Sequence, residues 1–200
     1  MKRVARNIAW LLLVAGLSLG VTLLWQQFTQ GPATEALQQW KARQFLAVLP
    51  ATSYDNKPLD TPIPLPTDQP PQSRITAAYR AMQGTAAVAV LFVSEVQGYA
   101  APIRLAIAVR ADGRLMGTRV IEQRESPGLG GRITDPQASW LSQFANRGLS
   151  DRWALKRDQG DFDQLAGATV TSRAVIVAQQ EALRYFDQHR TLLLGTSAHE

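Results

Sequence analysis

Residues 163–169 read Asp-Gln-Leu-Ala-Gly-Ala-Thr and continue through Val170, Thr171, Ser172 and Arg173. The hydroxyl of Thr169 stands beside three small residues, Ala166, Gly167 and Ala168, just ahead of a stretch with helical periodicity. A helix start presents backbone N–H groups without helical partners and the positive end of the dipole, a good seat for a phosphate. A phosphodiester on Thr169 would keep one negative charge. Donors for it are at hand in the N–H groups of 170–173, the hydroxyls of Thr171 and Ser172, and Arg173. The small neighbours leave a modifying enzyme room to reach the oxygen. The plainer reading is that Thr171 or Ser172 caps the last helix and Gly167 makes a turn.

A second segment, Glu125-Ser126-Pro127-Gly128-Leu129-Gly130-Gly131, sets glycines on both sides of one exposed leucine. Backbone can approach a flat ligand closely there, with Leu129 over a ring face and N–H groups meeting ring carbonyls. Taken alone, such a segment is a turn.

Composition narrows the chemistry. There are no cysteines, which excludes disulfides, thiolate-held iron–sulfur clusters and covalent c-type haem. The two histidines, His189 and His199, lie near the C-terminus, too few for a metal site and badly placed for a catalytic imidazole. A redox role therefore requires an organic cofactor. No Gly-x-Ser-x-Gly elbow is present, so a hydrolase using Ser126 or Ser172 lacks both its turn and its base. The net charge is +5, with Lys2, Arg3 and Arg6 at the start. Setting those three aside leaves 18 basic residues against 16 acidic ones, which is no nucleic-acid-binding face.

The elements that must position these loops follow in order. Residues 8–25 are apolar apart from small side chains and span roughly 27 Å as a helix, close to the bilayer hydrocarbon thickness. Trp10 and Trp25 sit near its ends, and no basic residue follows until Lys41. The charge bias predicts a single-pass anchor over 8–28, with residues 1–7 cytoplasmic and the rest outside. Residues 29–74 are read as a linker, with an amphipathic helix over 33–48 carrying Leu37, Trp40, Phe45 and Leu46. Six of the eleven prolines follow in 57–72, an extended spacer or a strap laid over the domain.

The domain itself is expected over 75–190, with 191–200 as a tail. Ala86 to Val96 reads as a buried strand, and Ile103, Leu105, Ile107 and Val109 alternate with outward Arg104, Ala106, Ala108 and Arg110 in a half-buried one. Asp112-Gly113 is a hairpin turn, and Leu115 to Glu122 returns beside it. A short helix is expected over 137–146, with Trp140, Leu141 and Phe144 on one face, and a strand over Trp153–Lys156. The last helix is expected over 172–188, with Val175, Ala178, Ala182 and Phe186 inward. Strands first and helices mixed in later give an α+β class.

The run ending at Thr169 resembles the flavinylation motif of bacterial membrane redox complexes, Asp-x-x-Ser/Thr-Gly-Ala-Thr. The 125–131 loop resembles the Glu-Thr-Pro-Gly-Leu-Gly segment of the same proteins. With the basic N-terminus, the single anchor, Leu49-Pro50, Tyr54-Asp55-Asn56 and Gly98-Tyr99, the chain resembles the G subunits of Rnf-type (Rsx) electron-transport complexes. These are related to the C subunit of the sodium-pumping NADH:quinone reductase. The resemblance implies FMN bound covalently at Thr169 by a flavin transferase. It also implies a cofactor site around Gly167, Ala168, Val170, Thr171, Ser172, Glu125, Ser126, Gly128, Leu129 and Gly130. It further implies partner subunits in the inner membrane, a periplasmic domain and electron flow that can be coupled to ion transport. Ala166 departs from the general motif in the manner of the G-subunit branch. Ala100-Ala101 replaces an expected Gly-Gly, which makes that loop less open. The rival reading is a cofactor-free extracytoplasmic scaffold or sensor.

Overall fold

Apolar side chains recurring every second residue build the centre of the domain. β1 (Ser73–Gln83), β2 (Ala86–Gln97), β3 (Pro102–Arg110) and β4 (Leu115–Glu122) form one antiparallel sheet in sequence order. Register follows from burial: Phe92 lies opposite Ile107 and Val90 opposite Val109, so one face is continuously apolar. Helix α1 (Thr169–Gln188) covers that face with Val175, Ala178, Ala182 and Phe186, all buried. The Tyr185 ring meets Phe92 edge-on at 6.0 Å. A five-residue helix, α2 (Arg190–Leu194), follows directly. The four-stranded sheet with its helix is the mixed α+β arrangement expected from the order of elements.

The structure is a computed structural model that describes residues 3, 7–8, 10–11, 13–22, 25, 45–135 and 139–195. It divides into two compact units, Met1–Arg43 and Gln44–Glu200. In the first, every described position is helical, and Trp10, Leu11, Leu17 and Trp25 are exposed. Among the described residues no helix is long and apolar enough to cross a membrane. Residues 9, 12, 23–24 and 26–28 of the expected anchor, 33–44 of the expected amphipathic helix, with Leu37 and Trp40, and the tail from 196 lie outside the described residues.

Three features of the second unit differ from expectation. The sheet is buried on both faces: Ala106 and Ala108, expected toward solvent, pack with Ala89, Leu91, Val48 and Leu49. Alanine there keeps the second face flat, so the chain at 45–59 lies against it, with Val48 touching the position of Gly117. Trp153–Lys156 is not a strand. Leu155 makes only an isolated bridge to Phe162 before the chain tightens into a 3-10 turn at Lys156–Asp158. The 137–146 helix reduces to a 3-10 turn at Trp140–Phe144, residues 136–138 lying outside the described set.

The prolines form a strap. Pro62 bridges Tyr79, and the Ile63 N–H donates to the Ala78 carbonyl at 2.8 Å. Just before it, Asn56 fits the rim of β1 like a strand residue. Its Nδ2 donates to the Arg80 carbonyl at 2.9 Å, and its Oδ1 accepts from the Met82 N–H at 3.0 Å. Asp55 adds its own N–H to the Met82 carbonyl. Asn56→Ala therefore removes two backbone partners at once. We expect a loss of about 1–3 kcal/mol, read as a lower urea midpoint at unchanged slope.

Candidate functional site

Three loops converge at one end of the sheet. The first joins β2 to β3, where the Gly98 N–H donates to the Ala101 carbonyl at 3.0 Å and closes a tight turn. Tyr99 stands on that turn, 72% exposed. The second is the 125–131 loop, folded by two bonds onto the Ser126 carbonyl, from Leu129 N–H at 3.2 Å and Gly131 N–H at 3.0 Å. Gly128 there has φ +77, a value glycine reaches without strain. The third is a β-turn closed by Ala168 N–H on the Leu165 carbonyl, with Gly167 at φ +73 in its third position.

The loops touch through glycines. A side chain on Gly167 would stand 2.7 Å from Leu129 Cδ2, so the second and third loops meet there. Between them and Tyr99 opens a cleft of about 320 Å³. That is at the lower end of the range for small-molecule sites. Ala168, Thr169, Val170 and Thr171 form one wall; Glu125, Ser126, Leu129 and Gly130 form the other.

Thr169 is the first residue of α1, one turn earlier than the periodicity indicates. Its side chain is half-buried, and its Oγ1 donates to Gln164 Oε1 at 3.2 Å. The first helical bond runs from Ser172 N–H to the Ala168 carbonyl. The N–H groups of Thr169, Val170 and Thr171 therefore precede the helical ladder, and no side chain caps the helix at Ala168. The capping role foreseen for Thr171 or Ser172 is not taken up.

Both hydroxyls are engaged elsewhere. Ser172 is buried, accepts from the Leu165 N–H at 3.0 Å and donates to the Ala168 carbonyl at 2.8 Å. It holds the turn and does not line the cleft. Thr171 lines the cleft but gives its proton to Glu125 Oε2. Glu125 is buried, and its other oxygen accepts from the Ala100 N–H at 2.9 Å. Arg173 pairs with Asp158 at 2.7 Å, and Gly128 is at the loop tip outside the lining. The lining residue absent from the expected site set is Tyr99. The signal for it was the Gly98-Tyr99 pair, which carried no assigned role.

Asp163 is exposed and pairs with Lys156 Nζ at 2.6 Å. Its backbone is fixed: Trp140 Nε1 donates to its carbonyl at 2.7 Å, and its N–H donates to Gln143 Oε1 at 2.8 Å. Beneath lies an aromatic cluster in which Phe162 stands 4.8 Å from both Phe144 and Trp153. One residue before Phe162, the backbone N–H and guanidinium of Arg152 hold the Asp161 carboxyl below the usual aspartate range. Among the described residues no cluster of potential metal ligands occurs.

Comparison with known proteins bears directly on this cleft. Residues 98–184, which contain all three loops, match the FMN-binding domain family. The chain is 41% identical to the G subunit of the ion-translocating oxidoreductase complex of Pseudomonas aeruginosa, over 95% of this chain and 92% of that one. It therefore belongs to the G-subunit family of ion-translocating oxidoreductase complexes. The counterpart from Cereibacter sphaeroides (strain ATCC 17029 / ATH 2.4.9) is 37% identical over 92% of this chain and 88% of its own. Among solved structures, that of Shewanella oneidensis NqrC matches 70% of this chain and 73% of its own, with 22% identity and a TM-score of 0.48. In this member of the G-subunit family the segment matched as FMN-binding begins at the Tyr99 turn and runs most of the length of α1.

Proposed function

We propose that FMN occupies the cleft between the three loops, joined through its phosphate to Thr169 Oγ1, and that the domain passes electrons within an ion-translocating membrane complex. The observation that carries this is the acceptor oxygen itself. Thr169, which bears it, lines the cleft at the uncapped start of α1, inside a segment that matches the FMN-binding domain family.

The residues present suit such a ligand. N–H groups of Thr169, Val170 and Thr171 meet the remaining phosphate charge, with the helix dipole adding to them. Leu129 and Val170, both about half exposed, offer apolar surface to a flat ring. Gly130 keeps the opposite wall close, since a side chain there would fall 2.6 Å from Glu125 Oε2. Gln164 holds the Thr169 proton until the transferase presents its flavin donor; the oxygen then bonds phosphorus as the bond from phosphorus to the donor's leaving group breaks, and that leaving group takes up the proton. Bound FMN supplies the one- or two-electron chemistry; the protein supplies position and electrostatics.

The setting follows from the N-terminal segment. The apolar run 8–25 anchors the chain in the inner membrane with its basic end in the cytoplasm, so the FMN domain faces the periplasm. A covalent link retains the cofactor where a released one would be lost. Maturation requires a flavin transferase, and the other subunits of the complex supply and accept the electrons, with ion transport coupled to that flow. Intact-mass measurement tests the reading. Protein from a host expressing the transferase carries the added mass of one FMN less one water, and protein from a host without it does not. A colourless, unmodified chain from the first host would overturn the covalent assignment.

A further inference from the structure

Tyr99 is the most exposed large apolar side chain among the described residues from Phe45 onward, and it lines the cleft. Leaving an aromatic ring in water is unfavourable unless something covers it. Its exposure is enforced by the backbone on both sides. Gly98 closes the turn onto Ala101, and the Ala100 N–H is fixed to Glu125.

Glu125 is the centre of that arrangement. Its carboxylate is buried, with one oxygen on the β2–β3 turn and the other on Thr171, two residues beyond the acceptor threonine. Gly98 and Gly130 each make room for it, since a side chain at either position would come within 2.6 Å of a carboxylate oxygen. One side chain thus joins the aromatic turn to the helix that bears the acceptor hydroxyl.

We propose that Tyr99 is the cover of the flavin ring and that Glu125 is the positioning residue that holds it over the cleft. This rests on FMN occupying the cleft as described above. Tyr99 contributes a π face to the ring, and its phenol, an easy electron donor to an excited flavin, quenches emission on contact. Phenylalanine keeps the shape but not that donor. Glutamine at position 125 keeps an acceptor for Ala100 and a donor for Thr171; alanine keeps neither.

The test uses the full-length chain from a transferase-expressing host and reads the emission of the attached oxidised flavin. Wild type is expected to emit several-fold less than free FMN. Tyr99→Phe should emit several-fold more than wild type without loss of flavin by mass. Glu125→Ala should brighten although Tyr99 is present, Glu125→Gln should stay dim, and Tyr99→Ala/Glu125→Ala should be no brighter than Tyr99→Ala. Tyr99→Phe as dim as wild type would overturn the cover, and Glu125→Ala as dim as wild type would overturn the positioning role. Free FMN titrated into flavin-free protein forms a second arm. Quenching by wild type but not by Tyr99→Phe supports the cover even where no ester is found by mass, a result that sinks only the attachment at Thr169. Equal emission from both proteins at saturation counts against the cover.

Discussion

Thr169→Ala, purified from a transferase-expressing host, should run on a denaturing gel without flavin fluorescence while folding as the parent does. The first half follows from chemistry: alanine has no oxygen to bond phosphorus, and the neighbouring hydroxyls are committed. Thr171 is held by Glu125 and Ser172 by its own turn, so neither stands in. The second half follows from position. Thr169 is half-buried, its hydroxyl donates to the exposed Gln164, and alanine is a better helix former. The change in stability should stay within about 0.5 kcal/mol. Thr169→Ser, which keeps an oxygen at the same place, should retain labelling. Fluorescence persisting in the alanine band would move the attachment elsewhere.

Phe162→Ala should cause the largest stability loss of any single change discussed. The ring is fully buried, packed on Phe144 and Trp153, with the Arg147 guanidinium 5.5 Å above it. Truncating such a residue costs about 3–5 kcal/mol through lost transfer energy and the cavity left behind. Against a typical total of about 5–15 kcal/mol this is a large fraction. Urea unfolding of flavin-free protein measures it directly, and Phe162→Leu should recover more than half. Because Asp163 follows immediately, loosening the cluster should also slow flavin attachment. A drop under about 1 kcal/mol, the size of an ordinary substitution, would mean the cluster does not support the motif.

Much of this was legible in the chain, for identifiable reasons. β2, β3 and β4 show as apolar runs and alternations around Asp112-Gly113, and α1 as a 3.6-residue stripe. The two candidate loops could be paired because both resemble segments of one family, in the same order; by residue types alone each reads as a turn. β1 carries Arg74, Thr76 and Arg80 and two register shifts, near Ile75 and Ala81, which break its alternation. Ala106 and Ala108 read as solvent-facing because alanine is neutral between environments; only the packing of Val48 and Leu49 decides it. Trp153–Lys156 has strand-like composition, but its apolar residues serve an aromatic cluster formed with distant Phe144. Tyr99 was visible as part of a pair, yet nothing in one sequence says which way a turn residue points.

The side-chain amide at Asn56 has a consequence in crowded surroundings. Bare sheet borders invite neighbouring polypeptides to zip on, a route to fibrils or mispaired subunits. From Ala78 to Met82 that border is already filled by Asp55, Asn56 and Ile63 of the same chain. A neighbouring polypeptide therefore finds no vacant strand position along this stretch, and the molecule can sit crowded among others without being conscripted into a shared sheet.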